Sequence, residues 1–205
     1  MDTSTVAGYR DHQKDTLLLY LQRRRGDLLG KLDGLGEYDI RRPLVPSGTN
    51  LLGLVKHVAS VELEYFGEVF GRPSGRVLPW MADGARPEAD MWATPEESRE
   101  SILELHAFSA EHSDATIEAL PLDAPGAVPW WPEERRSVTL QQILVHMISE
   151  TAQHAGHADI LRELIDGSLG RGADDPNLGA ADAEGRAAHA QRVEAGARVA
   201  SGHPG

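Results

Sequence analysis

Glu150 and His154 are the two residues of this chain whose types and spacing are best suited to chemistry. They lie four positions apart in the segment TLQQILVHMISETAQHAGHADILRELID, residues 139–166. In a helix, residues four apart lie one turn above each other on the same face. A carboxylate and an imidazole in this arrangement can bind a divalent metal, because metal ligands in helix bundles project inward from facing helices.

The segment that carries this pair predicts one long amphipathic helix. Its inward stripe recurs at alternating steps of three and four, which is typical of a buried seam. Polar side chains beside such a seam are unfavourable unless a partner compensates them, and a metal ion is one such partner. The stripe comprises Leu140, Ile143, Leu144, Met147, Thr151, His154, Ala158, Leu161 and Ile165.

His57 can supply a third ligand from across the core. It lies in the middle of a second amphipathic segment, LLGLVKHVASVELEYFGEVF, residues 51–70. Two imidazoles and one carboxylate leave coordination positions open, as in a catalytic metal site. Zinc is the first expectation for such donors, and nickel and iron(II) also suit them. The same residues fit an inert bundle with a solvated Glu/His face, since this spacing is common on exposed helices.

Two further histidines flank the pair on the same predicted helix. His146 lies four residues before Glu150, where it could be an alternative ligand, a hydrogen-bond partner of a ligand or a satisfied core histidine. His157 lies close after His154, where it could contact substrate, orient a ligand or simply pack. The other histidines are interpreted as structural, exposed or uninvolved: His12, His106, His112, His189 and His203.

Composition excludes several classes of protein. The chain has 205 residues, no cysteine and a net charge of -12. Without cysteine there are no disulfides, thiolate metal sites or cysteine nucleophile. The acidic balance argues against nucleic-acid binding. No apolar run approaches a membrane span and no signal pattern opens the chain, so we expect a soluble cytoplasmic protein with no membrane partner.

The overall pattern predicts an all-α, four-helix bundle with long connectors. We expect a flexible N-terminus (1–8), a bundle (9–170) and a weakly structured tail (171–205) with one weak helix near 180–198. The four helices are expected near 9–35, 51–70, 94–120 and 139–166, with no strand. Thr94 and Thr139 each open a capping-box pattern. All four tryptophans fall in the connectors, where they either cover the core or close over a pocket: Trp80, Trp92, Trp130 and Trp131.

Three strings together resemble a known superfamily. They are HMISETAQHAGHADILRELIDG, SGTNLLGLVKHVASVELEYFG and VPWWPEERRSVTL. About residues 10–170 are similar to the DinB/YfiT-like superfamily of helical metalloproteins, closest to its actinobacterial branch, which contains the N-terminal domain of mycothiol-dependent maleylpyruvate isomerase. The resemblance implies His57, Glu150 and His154 as metal ligands, with Glu150 standing where many members have histidine.

The resemblance also implies a function. We expect a metal-dependent S-transferase, or an isomerase-like enzyme, that activates a low-molecular-weight thiol such as mycothiol for attack on an electrophilic small molecule. The isomerase has a second, C-terminal domain, whereas this chain continues into a tail of low hydrophobicity, so maleylpyruvate isomerisation is not expected. The alternative is a non-catalytic metal-binding or stress-response bundle. The family's habit implies a monomer or a homodimer.

Overall fold

A computed structural model describes residues 3–170, 175 and 182–202, with side chains from residue 12 onward. The chain divides into two units, residues 1–169 and 170–205. The α-helices and β-strands described in the first unit are α1 (Thr3–Leu29), α2 (Glu37–Arg41), α3 (Leu51–Phe66), α4 (Arg99–Ala119), β1 (Pro125–Ala127), β2 (Ser137–Thr139) and α5 (Leu140–Asp166). The second unit contains α6 (Ala183–Ser201).

The all-α prediction is confirmed, and α1, α3, α4 and α5 are its four long helices. Helix α1 begins at Thr3, inside the segment expected to be loose, and ends at Leu29, where the chain tightens into a 3-10 turn over Gly30–Leu32. The short α2 was not predicted, since five residues hold too little periodicity to be recognised. Among the described residues, no helix has the length and apolar character needed to cross a membrane.

The expectation that no strand would form is wrong. Strands β1 and β2 pair antiparallel, with Pro125 opposite Thr139 and Gly126 opposite Val138. Three residues are too few to show the alternation by which a strand is recognised in sequence. Gly126 lies so close to Val69 and Phe70 that an added Cβ would meet their atoms, and this contact packs the small sheet against the 3-10 turn, Glu68–Phe70, that follows α3.

The third long helix begins later than predicted. Helix α4 starts at Arg99, and its cap is Ser98, whose hydroxyl accepts the amide of Ser101 at 3.1 Å. Thr94 and Glu97 do interact, because the Glu97 carboxylate accepts the Thr94 amide at 2.7 Å. The same carboxylate also binds the Lys56 ammonium, so this pair closes a turn against α3 and does not open the helix.

Helix α5 has the predicted ends. Thr139 and Gln142 form a complete capping box, and Gly167 ends the helix in the left-handed conformation. In the second unit, the helix expected near 180–198 is α6, which Asp182 caps through the Gly185 amide at 2.8 Å. The rest of the expected tail, at 171–174, 176–181 and 203–205, lies outside the described residues.

Helix α3 is the centre of the bundle, since it packs against both α4 and α5, while α1 packs against α5. Thirteen of its residues are buried. A buried ion pair ties it to α1, with Arg25 donating to both carboxylate oxygens of Glu62 at 3.1 and 2.6 Å. The same guanidinium reaches Asp114 of α4 at 2.7 Å. Three helices are therefore joined by one arginine.

A short segment, residues 88–92, lies across the outer face of α3, and we call it the Asp90 strap. Lys56 is almost fully buried and donates to the Ala89 and Trp92 carbonyls at 3.0 and 2.9 Å. The Met91 carbonyl lies against the backbone of Gly53. Because a side chain at Gly53 would occupy the position of that carbonyl, the strap can lie this close only over glycine.

Gly53→Ala should therefore destabilise the protein. The new methyl group collides with the strap backbone, and overpacking of this kind costs about 1–3 kcal/mol. Gly26→Ala is the matched control, because Gly26 also lies within a helix but an added Cβ there meets no atom within 4 Å. That control should be stabilised by about 0.5–1 kcal/mol. Urea unfolding of the two variants checks this, and equal stabilisation of both would contradict the close docking of the strap.

Candidate metal centre

His57, Glu150 and His154 come together between α3 and α5. Their ligand atoms all lie within 4.8 Å of one another. Glu150 Oε1 lies 3.3 Å from His57 Nε2 and 3.1 Å from His154 Nε2. The two imidazole rings meet edge to face with centroids 4.7 Å apart. The structure thus brings together the three residues that the sequence singled out, and one carboxylate oxygen lies at the point where they converge.

Asp90 is a fourth member of this cluster, and the sequence did not indicate it. Its Oδ2 accepts the Nδ1 proton of His57 at 2.6 Å. An ionised carboxylate can only accept, so this contact leaves Nε2 as the nitrogen that faces Glu150. Carboxylate–histidine pairs of this kind orient the imidazole of metal sites and raise its basicity. The strap therefore has a chemical consequence, since it fixes which nitrogen of His57 points into the site.

The charges of the cluster stabilise one another. Burial by itself lowers the pKa of His57, but hydrogen bonds to Asp90 and Glu150 and their negative charges outweigh it and raise that pKa to about 9. The pKa of Glu150 is lowered, chiefly by hydrogen bonds to His154 and His57. The pKa of Asp90 is lowered by its bond to His57. In the absence of a metal, a proton on His57 therefore neutralises part of the charge of the two carboxylates.

The donors fit a divalent metal ion. Two imidazole nitrogens and a carboxylate oxygen are suitable ligands for zinc and similar ions, and they leave coordination positions open. His154 is 8% exposed, and its Nδ1 is buried without a hydrogen-bond partner among the described residues. The Nε2 atom is the one that faces the converging groups, and a divalent ion bound there would offset part of the cost of burying the ring.

His146 belongs to an aromatic cluster one turn of α5 away from Glu150. Its ring meets Tyr65 and Trp131 edge to face, with centroids 4.8 and 5.3 Å apart. The Trp131 indole donates to the Tyr65 hydroxyl at 3.1 Å. Burial lowers the pKa of His146, which leaves it neutral near pH 7. His146 is not one of the three groups that converge.

The other histidines have distinct environments. His157 is exposed, and its ring lies 5.5 Å from that of His154, centroid to centroid. His112 interacts with the Arg72 carbonyl at 2.8 Å. His106 is buried, and burial, with the nearby Arg25 charge, lowers its pKa to about 4. It is a neutral core residue, in agreement with its interpretation as structural.

The sequence left two interpretations for the tryptophans, which were that they cover the core or that they close over a pocket. Trp80 covers the bundle, since its indole donates to Ser60 at 2.9 Å and its ring lies 4.0 Å from the Lys56 ammonium. Trp131 packs against Tyr65 and His146, next to the converging groups. Trp92 and Trp130 are about half exposed, at 50% and 46%. Trp92 lies at the end of the Asp90 strap, and Trp130 packs on Tyr65.

The protonation of His57 should appear in the stability of metal-stripped protein. A raised pKa in the folded state contributes stability that is complete below the unfolded pKa, near 6.5, and is lost as the pH rises through about 9. The free energy of unfolding of wild type relative to His57→Gln should therefore fall by on the order of 2–3 kcal/mol between pH 6.5 and 10.

Urea unfolding in the presence of a chelator, at a series of pH values, measures this difference. His12→Gln is the control for the replacement of a histidine by glutamine, because His12 is exposed and lies outside the cluster. A difference between wild type and His57→Gln that stays constant from pH 6.5 to 10 would mean that Asp90 and Glu150 do not hold a proton on His57.

Comparison with known proteins bears on the family of this chain. No curated protein matches the chain. A family model described as mycothiol-S-transferase matches residues 16–167, a span that contains α3, α5 and all the groups of the candidate site. This confirms the expected resemblance to a mycothiol-related helical family. Since the match covers well over half of the chain, the protein belongs to the mycothiol-S-transferase family.

Proposed function

We propose that this protein is a divalent-metal-dependent S-transferase that uses mycothiol as its thiol cosubstrate. The observation that carries the proposal is the convergence of His57, Glu150 and His154 on one point inside a family of mycothiol-S-transferases. The chain has no cysteine, so a nucleophilic sulfur has to come from a cosubstrate. The three converging residues would hold the metal, for which zinc is the expected ion.

The reaction is a substitution or addition at an electrophilic carbon. The thiol sulfur forms a bond to that carbon and the S–H bond breaks. In a substitution the leaving group departs with its bonding electron pair. In an addition a π bond or a strained ring bond at the carbon breaks, and the proton goes to the atom that receives that electron pair. When bound, a divalent metal supplies the Lewis acidity that lowers the pKa of a thiol. The protein then has two tasks, which are to fix the ligands in place and to accept or release the thiol proton.

Lys56 and Asp90 position His57, the candidate metal ligand on α3. The ammonium of Lys56 holds the carbonyls on both sides of Asp90, at 3.0 and 2.9 Å. Asp90 in turn holds Nδ1 of His57 at 2.6 Å. Because each link is short and the lysine is buried, the imidazole has one orientation, with Nε2 toward Glu150. Preorganisation of this kind removes the cost of arranging the ligands at each turnover.

The aromatic cluster of Tyr65, Trp131 and His146 offers both a proton acceptor and an apolar wall. His146 is neutral near pH 7 because burial lowers its pKa, so its imidazole can accept the thiol proton, directly or through water. The two larger rings give an electrophile with an aromatic or alkyl group a surface to pack against. Its His146 lies one helical turn from Glu150 on α5, and this proximity supports a role for the cluster in the reaction.

His154→Ala should remove the metal. Wild-type protein purified without added metal is expected to contain close to one equivalent of a divalent ion, measured by elemental mass spectrometry. The variant loses one of three ligands and is expected to contain almost none. His157→Ala is the control, because His157 lies beside the site but is not one of the converging groups, and it should retain the ion. Equal metal content in all three proteins would show that the ligand set is wrong.

Activity should depend on the same ion. Metal-loaded protein incubated with mycothiol and monobromobimane is expected to form the thioether conjugate, followed by fluorescence. Treatment with a chelator should reduce the rate by about 100-fold or more, because the loss of Lewis acidity removes several kcal/mol of stabilisation. Restoration by added zinc is the control. Failure to form conjugate over a varied panel of electrophiles would contradict the proposed activity.

A further inference from the structure

A cavity of about 350 Å³ lies at the beginning of α3, and neither the candidate metal centre nor the proposed reaction accounts for it. One wall is the connector before α3, which contributes Arg41, Ser47 and Thr49. The opposite wall is the Asp90 strap, which contributes Glu88, Met91 and Trp92. The volume lies in the range of sites that bind small molecules.

The cavity lies close to the metal centre along α3. Asn50, which lines the cavity, precedes His57 by seven residues. Seven residues are about two helical turns, so the two residues lie on the same face of α3, roughly 10 Å apart along its axis. Met91, another lining residue, follows Asp90, whose carboxylate binds His57 at 2.6 Å. The strap therefore forms a wall of the cavity and also touches the candidate metal ligand. The cavity and the candidate ligand are thus supported by the same five-residue segment.

The polar groups of the cavity suit an uncharged ligand with many hydroxyl groups. Ser47 and Thr49 present two hydroxyls, 2.8 Å apart, that can each donate or accept. The Glu88 carboxylate is an acceptor, and the half-exposed indole of Trp92 offers a flat apolar face. A sugar or cyclitol has alternating hydroxyls around an apolar ring face, so it can use both kinds of contact.

An anionic ligand does not fit as well. Arg41 is the cationic side chain of the lining, and its guanidinium is already engaged. Its Nε donates to Glu37 at 2.9 Å, and its Nη atoms donate to the carbonyls of Ala93, Thr94 and Glu97 at 3.3, 3.1 and 2.8 Å. A phosphate or carboxylate in the cavity would meet the Glu88 carboxylate without a free cation to balance it.

The backbone of the strap is unusual at this cavity. Glu88 has φ 63°, and among the described residues it is the one non-glycine residue with a positive φ. Residues held in such conformations are found preferentially at ligand sites, where the surrounding structure keeps them in place. Here the contacts of Lys56 and Gly53 with the strap provide that support, and they leave the Glu88 side chain exposed at the cavity wall.

We propose that this cavity binds the glucosaminyl-inositol headgroup of the thiol cosubstrate, while the cysteinyl sulfur of the same molecule lies at the metal centre. The inference rests on the proposed function, because it takes mycothiol as the cosubstrate. Mycothiol joins an N-acetylcysteine to a glucosaminyl-inositol through an amide, so its sulfur and its sugar lie at opposite ends of an extended molecule. The electrophile then occupies the other side, against Tyr65 and Trp131.

Headgroup binding can be measured without any reaction. Full-length protein is titrated by calorimetry with N-acetylglucosaminyl-inositol, which keeps the uncharged amide of the headgroup but lacks the cysteine and therefore cannot react or use the thiol chemistry of the metal. Wild type should bind it in the millimolar range or tighter. Trp92→Ala and Thr49→Val should each weaken binding by about ten-fold, as expected for contacts that carry much of the affinity.

Trp130→Ala is the matched control, because Trp130 is a similarly exposed tryptophan at the far end of α3, and it should leave headgroup binding unchanged. Absence of headgroup binding to wild type overturns the inference, whatever the protein catalyses. Equal loss of binding in Trp92→Ala and Trp130→Ala overturns it as well, because the effect would then not belong to the cavity.

Kinetics with two thiols provide a second readout. Trp92→Ala should lower kcat/KM for mycothiol about ten-fold, through KM, and leave kcat/KM for N-acetylcysteine unchanged. An equal fall for both thiols, or a rise in the KM of the electrophile alone, would overturn the assignment of the cavity to the headgroup. If metal-loaded protein conjugates neither thiol, the proposed function fails, and the headgroup titration still decides whether the cavity binds a polyol.

Discussion

The site depends on the burial of two imidazoles and a carboxylate where α3 and α5 cross. His57 and His154 face one oxygen of Glu150 at 3.3 and 3.1 Å in a place that is mostly shielded from water. Polar groups in such a place are unfavourable unless charge and hydrogen bonds are balanced. Without a metal the balance comes from a proton on His57, and with a metal it comes from the ion. The free-energy cost of burying these polar groups makes the cluster unfavourable as part of an ordinary core. A bound ion would offset that cost, so the cluster is suitable as a metal site.

The Asp90 strap is the second constraint on the site, because its contacts with α3 fix the orientation of His57. Gly53 lets the strap approach the backbone of α3, Lys56 holds its carbonyls, and Asp90 holds His57. The strap also forms one wall of the cavity at the beginning of α3. The candidate metal centre and the cavity thus share one support, and the aromatic cluster around Tyr65 lies toward the other end of α3.

The helices, and the candidate ligands His57, Glu150 and His154, could be predicted because they follow the helical spacing of residues close together in the sequence. The seam of α5 and the spacing of Glu150 and His154 repeat with the helix, and the caps at Thr139 and Gly167 follow from backbone chemistry. Asp90 and Lys56 could not be found in this way, because each meets its partner across 33 residues, through a connector without periodicity. The start of α4 was misplaced for a related reason, since Glu97 binds a lysine of another helix and does not cap its own.

The central claim is that His57, Glu150 and His154 bind a divalent metal through two imidazoles and a carboxylate. X-ray absorption at the metal edge of the purified protein tests this most directly, because imidazole rings give a distinctive multiple-scattering pattern that can be counted. The account predicts two imidazoles with the remaining near neighbours oxygen, at about 2.0–2.2 Å. A metal surrounded by oxygen alone, or by a number of imidazoles other than two, would contradict it.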